Sequence, residues 1–263
     1  MQKHLNTNYG ILFIRYPRHP QEIIAAKAAR FYIAYMDDDP LTTINLPQKA
    51  LVTFEEPCGN TVVTTSVVWG AAEALTSPEL ETRYAGLQQL VGQDAVRQHP
   101  LVAYLLISRL VEPDIALRSQ IVDALAEVVV PNGRGEPALA ASYSTLATHL
   151  MGMRTRQIYA LLQVVAYEKS NEPKVIGLLD HCSFAGGHLS CILATRTVPL
   201  NLRKLAAYFI GQLGYLDAMP VLERFEARLE ARQNGRNELG GMDEDDADLL
   251  SMIRCSLGLL RDP

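Results

Sequence analysis

The chain is poor in cysteine, has a single tryptophan, carries no excess of positive charge and contains no long apolar run. Each scarcity removes a class of protein. Four cysteines in 263 residues, Cys58, Cys182, Cys191 and Cys255, are too few and too scattered for a disulfide framework, a usage that suits a reducing cytosol. No stretch approaches the roughly 18 consecutive apolar residues that a membrane span requires. The short apolar run in MQKHLNTNYGILFIRYPRHP has no basic region before it and no small-residue cleavage site after it, so a soluble, unexported, cytoplasmic chain with no membrane partner is expected. A net charge of −5 gives a global field that opposes nucleic acid, leaving only a local basic groove open to it. Catalytic signatures are missing as well. There is no Gly-x-Ser-x-Gly elbow, no phosphate-cradling glycine loop and no paired histidines on a metal-binding helix, so neither nucleophilic catalysis nor a cofactor is expected. Trp69, without an aromatic partner nearby, reads as buried packing rather than a stacking platform.

What the chain does have is helical periodicity. With 48% hydrophobic and 20% charged residues it can bury a sizeable core. In NLRKLAAYFIGQLGYLDAMPVLERF, counting from Arg203, Ala206, Ala207, Ile210 and Gly214 fall on one face of a 3.6-residue period. Gly214 supplies a left-handed helix end and Asp217 an N-cap for a second helix, on which Leu222, Phe225 and Leu229 repeat the apolar spacing. The same register fits Arg154 with Ile158, Leu161, Leu162 and Val165. It fits Arg118 with Ile121, Val122, Leu125 and Val129, and Arg83 with Leu87, Leu90 and Val91. The register recurs at roughly 35-residue intervals with the last step longer, the period of a helix pair. Each first helix has a candidate partner after it: HPLVAYLLISRL, EPALAASYSTLATHL with a stripe of Leu139, Tyr143, Leu146 and Leu150, and EPKVIGLLDHC. Turns fall at PNGRGEP and KSNEP.

The stretch from Asn201 to Phe225 resembles a HEAT repeat through Arg203, Ala206, Ala207, Gly211, Leu213, Gly214, Asp217 and the entry from Pro220 to Leu222. The resemblance extends over about residues 78 to 233. LRSQIVDALAEVVV and TRYAGLQQLVG keep the arginine and the apolar face but lose the terminal Leu-Gly-Asp. It implies an all-α chain folded as an α-α superhelix of antiparallel pairs whose neighbours shelter one another's apolar sides. The second helix of each pair would line a concave groove for another protein or peptide, with Tyr104, Thr145, Lys174, Arg224 and Arg228 as candidate contacts. The same resemblance brings two alternatives: a HEAT-like lyase acting on a pigment-carrying partner, and a HEAT-like DNA glycosylase, which the acidic charge disfavours.

The expected organisation is one continuous domain in three parts: an N-terminal cap over 1–60, helical repeats over 61–233, and an acidic loop with a capping helix over 234–263. In the first part HPQEIIAAKAARFYIAYMDDD predicts a helix, while GILFIRY and KALVTFEE fit either irregular packing or a small β element. CGNTVVTTSVVWGAAEALTSP predicts a helix capped by Asn60, with Val63, Val67, Ala71, Ala74 and Leu75 on one face. Leu249, Leu250, Ile253, Leu257 and Leu260 form the docking stripe of the final helix.

Three clusters invite chemistry. DHCSFAGGHLSC holds Cys182, His188 and Cys191, metal-ligand types in an uncommon spacing; a structural turn bent at Gly186-Gly187 is the main expectation and a metal site the alternative. MDEDDAD, with Asp243, Asp245, Asp246 and Asp248, lacks the order of a calcium loop and suits a helix start. Arg224, Arg228 and Arg232 align four apart, flanked by Glu223, Glu226 and Glu230. They fit charges paired with neighbouring helices, or else a ridge for an acidic partner.

Overall fold

Helix starts and close helix crossings set the architecture of the computed structural model, which describes residues 65–233 and 244–261. The expectations for the first 60 residues, for Asn60, Val63, the side chain of Val67 and Asp243, lie outside the described residues. Twelve α-helices and two single 3₁₀ turns, with no strand, make up the secondary structure of the described residues.

The first helix, α1 (Thr65–Ala74), packs on α2 (Leu80–Gly92) with Ala71 and Leu75 buried. They approach closely because Gly86 of α2 has no side chain: a Cβ there would lie 2.8 Å from the Ala71 carbonyl oxygen and 2.9 Å from the Ala74 Cβ. Trp69, expected inside, is 70% exposed, since two residues from Ala71 is about 200° around the helix and away from the packed side. Leu87 and Leu90 are buried as the register requires, whereas Val91 sits at the edge of the face and is exposed.

A single turn, α3 (Ala95–Gln98), leads into α4 (Pro100–Ser108) and then α5 (Ile115–Val129). Asp114 caps α5 by accepting a hydrogen bond from the Leu117 N–H at 2.8 Å, and that bond is the first reason its carboxyl is held below the ordinary carboxylate range. Ile121, Val122 and Leu125 are fully buried and Val129 partly so. α5 packs against α2, α3 and α4 on one side of the chain order, and on the other against α6 (Ala140–Met151), α7 (Thr155–Tyr167) and α8 (Glu172–Asp180). A helix with so many neighbours has little free surface, which is why its apolar residues are not confined to one stripe.

On α6 the expected stripe is shifted. Leu146 and Leu150 are buried, but Leu139 and Tyr143 are exposed and Ser142 takes the inward position. The inward row therefore runs at steps of four through Ser142, Leu146 and Leu150, leaving Tyr143 to reach across to a neighbouring segment. On α7 all four expected residues, Ile158, Leu161, Leu162 and Val165, are buried.

The long step between Arg154 and Arg203 contains a further helix, α9 (Ala185–Ala194), rather than an inserted turn alone. Gly186 and Gly187, expected at the bend, lie inside its first turn, and residues 181–184 make the bend instead. Gly186 permits a close approach: a Cβ there would collide with the Asp217 carboxylate. Asp217, expected as an N-cap, lies in the 3₁₀ turn Leu216–Ala218.

α10 (Leu200–Gln212) buries Ala206, Ala207 and Ile210 and ends as expected at Gly214, with φ of 67°. The Tyr215 N–H reaches back to the Ile210 carbonyl at 3.1 Å and the Gly214 N–H to Gly211 at 3.3 Å, the paired closure of a Schellman end. α10 does not take α11 (Met219–Gln233) as its main neighbour; it packs chiefly on α9, α7 and the final helix, α12 (Glu244–Arg261). α12 also packs on α11, with Leu249, Leu250, Ile253, Leu257 and Leu260 all buried. The principal helix–helix contacts join helices no more than three apart in chain order, and one continuous apolar cluster runs from Ala71 to Leu260.

Candidate functional site

Three of the four arginines that open a register, Arg83, Arg118 and Arg203, prove to be clamps, while Arg154 is exposed. Arg83 donates to the Ser77 and Pro78 carbonyls at 3.1 and 2.8 Å, and Arg203 donates to the Leu193 carbonyl at 2.9 Å. Arg118, buried, donates from Nε to the Glu112 carbonyl at 2.7 Å, from Nη2 to the same oxygen, and from Nη1 to Gln163 at 2.6 Å. Each ties the segment before its helix to the helix itself, where loop carbonyls would otherwise be buried without a donor. A hollow of about 400 Å³ next to Arg118, between Tyr159, Tyr167 and Asn201, therefore offers a ligand no free guanidinium nitrogen from that residue.

The candidate contact residues lie on four helices, α4, α6, α8 and α11. Tyr104 on α4 is 49% exposed and its ring lies 4.9 Å from that of His149 of α6, tilted by 49°. Tyr143 of α6 bonds through its hydroxyl to His181, just past α8, at 3.0 Å, and His181 Nδ1 is 2.9 Å from the Gly177 carbonyl oxygen. These two Tyr–His pairs cross from α4 through α6 to the end of α8, with Leu101 and Leu139 exposed on the same helices or at their starts. Burial pushes the His149 imidazole below its ordinary value. Two candidates have their polar groups engaged internally. The Thr145 hydroxyl donates to the Ala141 carbonyl of its own helix at 2.8 Å, and Lys174 pairs with Asp123 at 2.6 Å and with Asn171 at 3.2 Å.

Arg224 and Arg228 lie on α11. The acidic flank of that helix is drawn onto α12: Glu226 and Glu230 pair with Arg254 at 3.4 and 2.6 Å, and Glu223 with Arg261 at 3.2 Å. Arg232 pairs with Asp246 at 2.8 Å and Lys204 with Asp248 at 2.5 Å, so these two acids at the start of α12 hold helices together. Among the described residues Arg224 and Arg228 have no acidic partner; Arg228 lies over the Phe225 ring at 5.2 Å.

Cys182, His188 and Cys191 are not gathered into one site, and no group of three metal-ligating side chains exists among the described residues. Cys182 is buried with its Sγ 3.9 Å from the Met153 carbonyl oxygen, His188 Nδ1 is 2.9 Å from the Thr155 hydroxyl, and Cys191 is exposed. Burial pushes the Cys182 thiol up. Brief iodoacetamide treatment of the native protein is expected to label Cys191 and Cys255 and to spare Cys182 until urea is added. Peptide mass mapping checks this, and equal native labelling at Cys182 would contradict the packing described.

Those two contacts join the α6–α7 turn to the α8–α9 turn and leave between them a solvent-open hollow of about 470 Å³, lined by Met151, Arg154, Thr155, Arg156, Phe184 and His188 among others. Reading the sequence missed this hollow because its two halves are some 30 positions apart; the one available signal was an aromatic residue, Phe184, beside the histidines and cysteines. No described helix is long and apolar enough to cross a membrane. Over the described residues the secondary structure is all helical, and the helices pack chiefly on near neighbours in the chain. No protein-family model, curated protein or solved structure matches it.

Proposed function

We propose that this protein is a non-enzymatic binding module of the HEAT-like class, in which helix pairs stack into an α-α superhelix and present a preformed face to another protein or peptide. The reading is supported above all by the two Tyr–His pairs that cross α4, α6 and the end of α8, with Tyr104 and Tyr143 half exposed. Aromatic side chains held in place before binding lose little freedom on contact and are the residue type on which protein interfaces concentrate their energy. Packing restricted to near neighbours in chain order supports the stacked arrangement.

The test compares the wild-type chain with a Tyr104→Ala/Tyr143→Ala variant in affinity capture from the native host, beside salt-titrated retention of duplex DNA. The module reading expects a protein bound directly by wild type and at least tenfold more weakly by the variant, with circular dichroism unchanged. Salt-sensitive DNA retention without a variant-sensitive protein would overturn it in favour of a nucleic-acid enzyme.

A further inference from the structure

We propose that the hollow between the α6–α7 and α8–α9 turns binds a segment of a partner protein that places a carboxylate beside a large apolar side chain. This rests on the binding-module reading and specifies the chemistry of one contact.

The site is built before anything binds. Cys182 against the Met153 carbonyl and Thr155 against His188 join its two walls, and Met153 beneath is 2% exposed. Its apolar part is unusual for a surface: Phe184 is 71% exposed and Met151 48%. Large apolar groups displayed together in a concavity mark an interaction surface. A thioether also adapts its shape to the side chain it meets.

Its polar part has one sign. Arg154 and Arg156 are exposed, and no acid is among the lining residues. Neither arginine forms an ion pair among the described residues, although the chain as a whole carries net charge −5. The hollow includes the first turn of α7, where the helix dipole adds to the attraction for an anion. Guanidinium groups bind a carboxylate through two parallel hydrogen bonds. Two arginines beside two large apolar side chains thus match an acidic residue next to Leu, Phe or Met. A nucleic acid would require a line of cations along its phosphates, and an open hollow does not enclose the alkyl chain of a lipid.

The probe is a set of fluorescein-labelled dodecapeptides with two glutamates flanking Leu or Phe, compared with versions in which lysine replaces glutamate or serine replaces the apolar residue. Anisotropy with the full chain is expected to show binding of the acidic-apolar peptides only. Arg154→Glu/Arg156→Glu is expected to weaken it at least tenfold, Phe184→Ser about fivefold, and Tyr104→Ala/Tyr143→Ala not at all. Binding of the lysine peptides as well as the glutamate ones, no binding of any peptide, or indifference to Arg154→Glu/Arg156→Glu would overturn the proposal. If a captured partner depends on Tyr104 and Tyr143 while the peptides fail to bind, the module reading survives and the hollow's assignment falls.

Discussion

Replacing Arg83 with methionine should lower the stability of the folded protein by about 3–5 kcal/mol, the usual cost of stripping one partner from a buried ion pair. Arg83 Nη2 meets Glu112 Oε1 at 2.9 Å, and the glutamate side chain is only 1% exposed. Methionine keeps an unbranched apolar stem but removes the guanidinium that pairs with the buried carboxylate, leaving it only the Coulombic attraction of Arg118. The variant also frees the Ser77 and Pro78 carbonyls that Arg83 holds. A second substitution isolates the charge contribution. Arg83→Met/Glu112→Leu removes both ions and should recover most of the loss, because the Arg118 clamp uses the Glu112 backbone oxygen rather than its side chain. Urea unfolding monitored by circular dichroism gives both numbers, with an unchanged m-value confirming that the two end states are comparable. A loss below about 1 kcal/mol for the single variant would mean that Glu112 is not buried as described.

Gly211→Val should cost about 3 kcal/mol, at the upper end of overpacking penalties. On an exposed helix the substitution of glycine by a residue with a side chain would be favourable or nearly neutral; at this position the sign reverses. A Cβ on Gly211 would stand 2.7 Å from the Ser256 Cα and 2.8 Å from its Cβ. The obstruction is thus backbone of α12, not the movable end of a long side chain. The same contact holds a hydrogen bond, Ser256 Oγ to the Ala207 carbonyl at 2.8 Å, so displacing α12 also removes a donor from a buried carbonyl. Gly187→Ala is the matched control: it lies on α9 with nothing within 4 Å of its would-be Cβ, and it should stabilise by about 0.5–1 kcal/mol. Hydrogen exchange distinguishes a local from a global effect. Protection in α12 should fall first in Gly211→Val, and a variant with wild-type protection there would contradict the close crossing.

Both results depend on neighbours that are remote in the chain, and the same holds for what could be read in advance. The four arginine registers predicted buried residues well on α5, α7 and α10, because an apolar residue every three or four positions is a local property that survives whichever helix lies opposite. Leu249 to Leu260 were legible for the same reason. Trp69, Val91, Leu139 and Tyr143 went the other way. Each is apolar enough to be inside, yet its exposure depends on how far the neighbouring helix covers the face. The role of the arginines was not legible either: a guanidinium at the start of a helix looks the same whether it faces solvent or a loop carbonyl ten residues back.

The candidate sites divide similarly. In Cys182, His188 and Cys191 the residue types raised a metal site as the alternative to a structural turn, against an uncommon spacing. The bend before α9 carries Cys182 to the Met153 carbonyl, while α9, which occupies the longer repeat interval, carries His188 to Thr155 and leaves Cys191 exposed. On α11 the alternation of Arg and Glu was visible, but which sign is left to solvent was decided by α12, whose Arg254 and Arg261 take up the acids.

By itself the sequence determined the helical class of residues 65–233 and 244–261, the helix end at Gly214 and the inward rows of the regular helices, since these follow from periodicity and cap chemistry within a few residues. Only the tertiary structure decided which helices touch, which arginines remain free, and where two turns about 30 residues apart form a hollow. Those outcomes depend on side-chain volume at crossings such as Gly86 and Gly211 and on pairing between distant charges, interactions that exist only once the chain has brought its separate segments together.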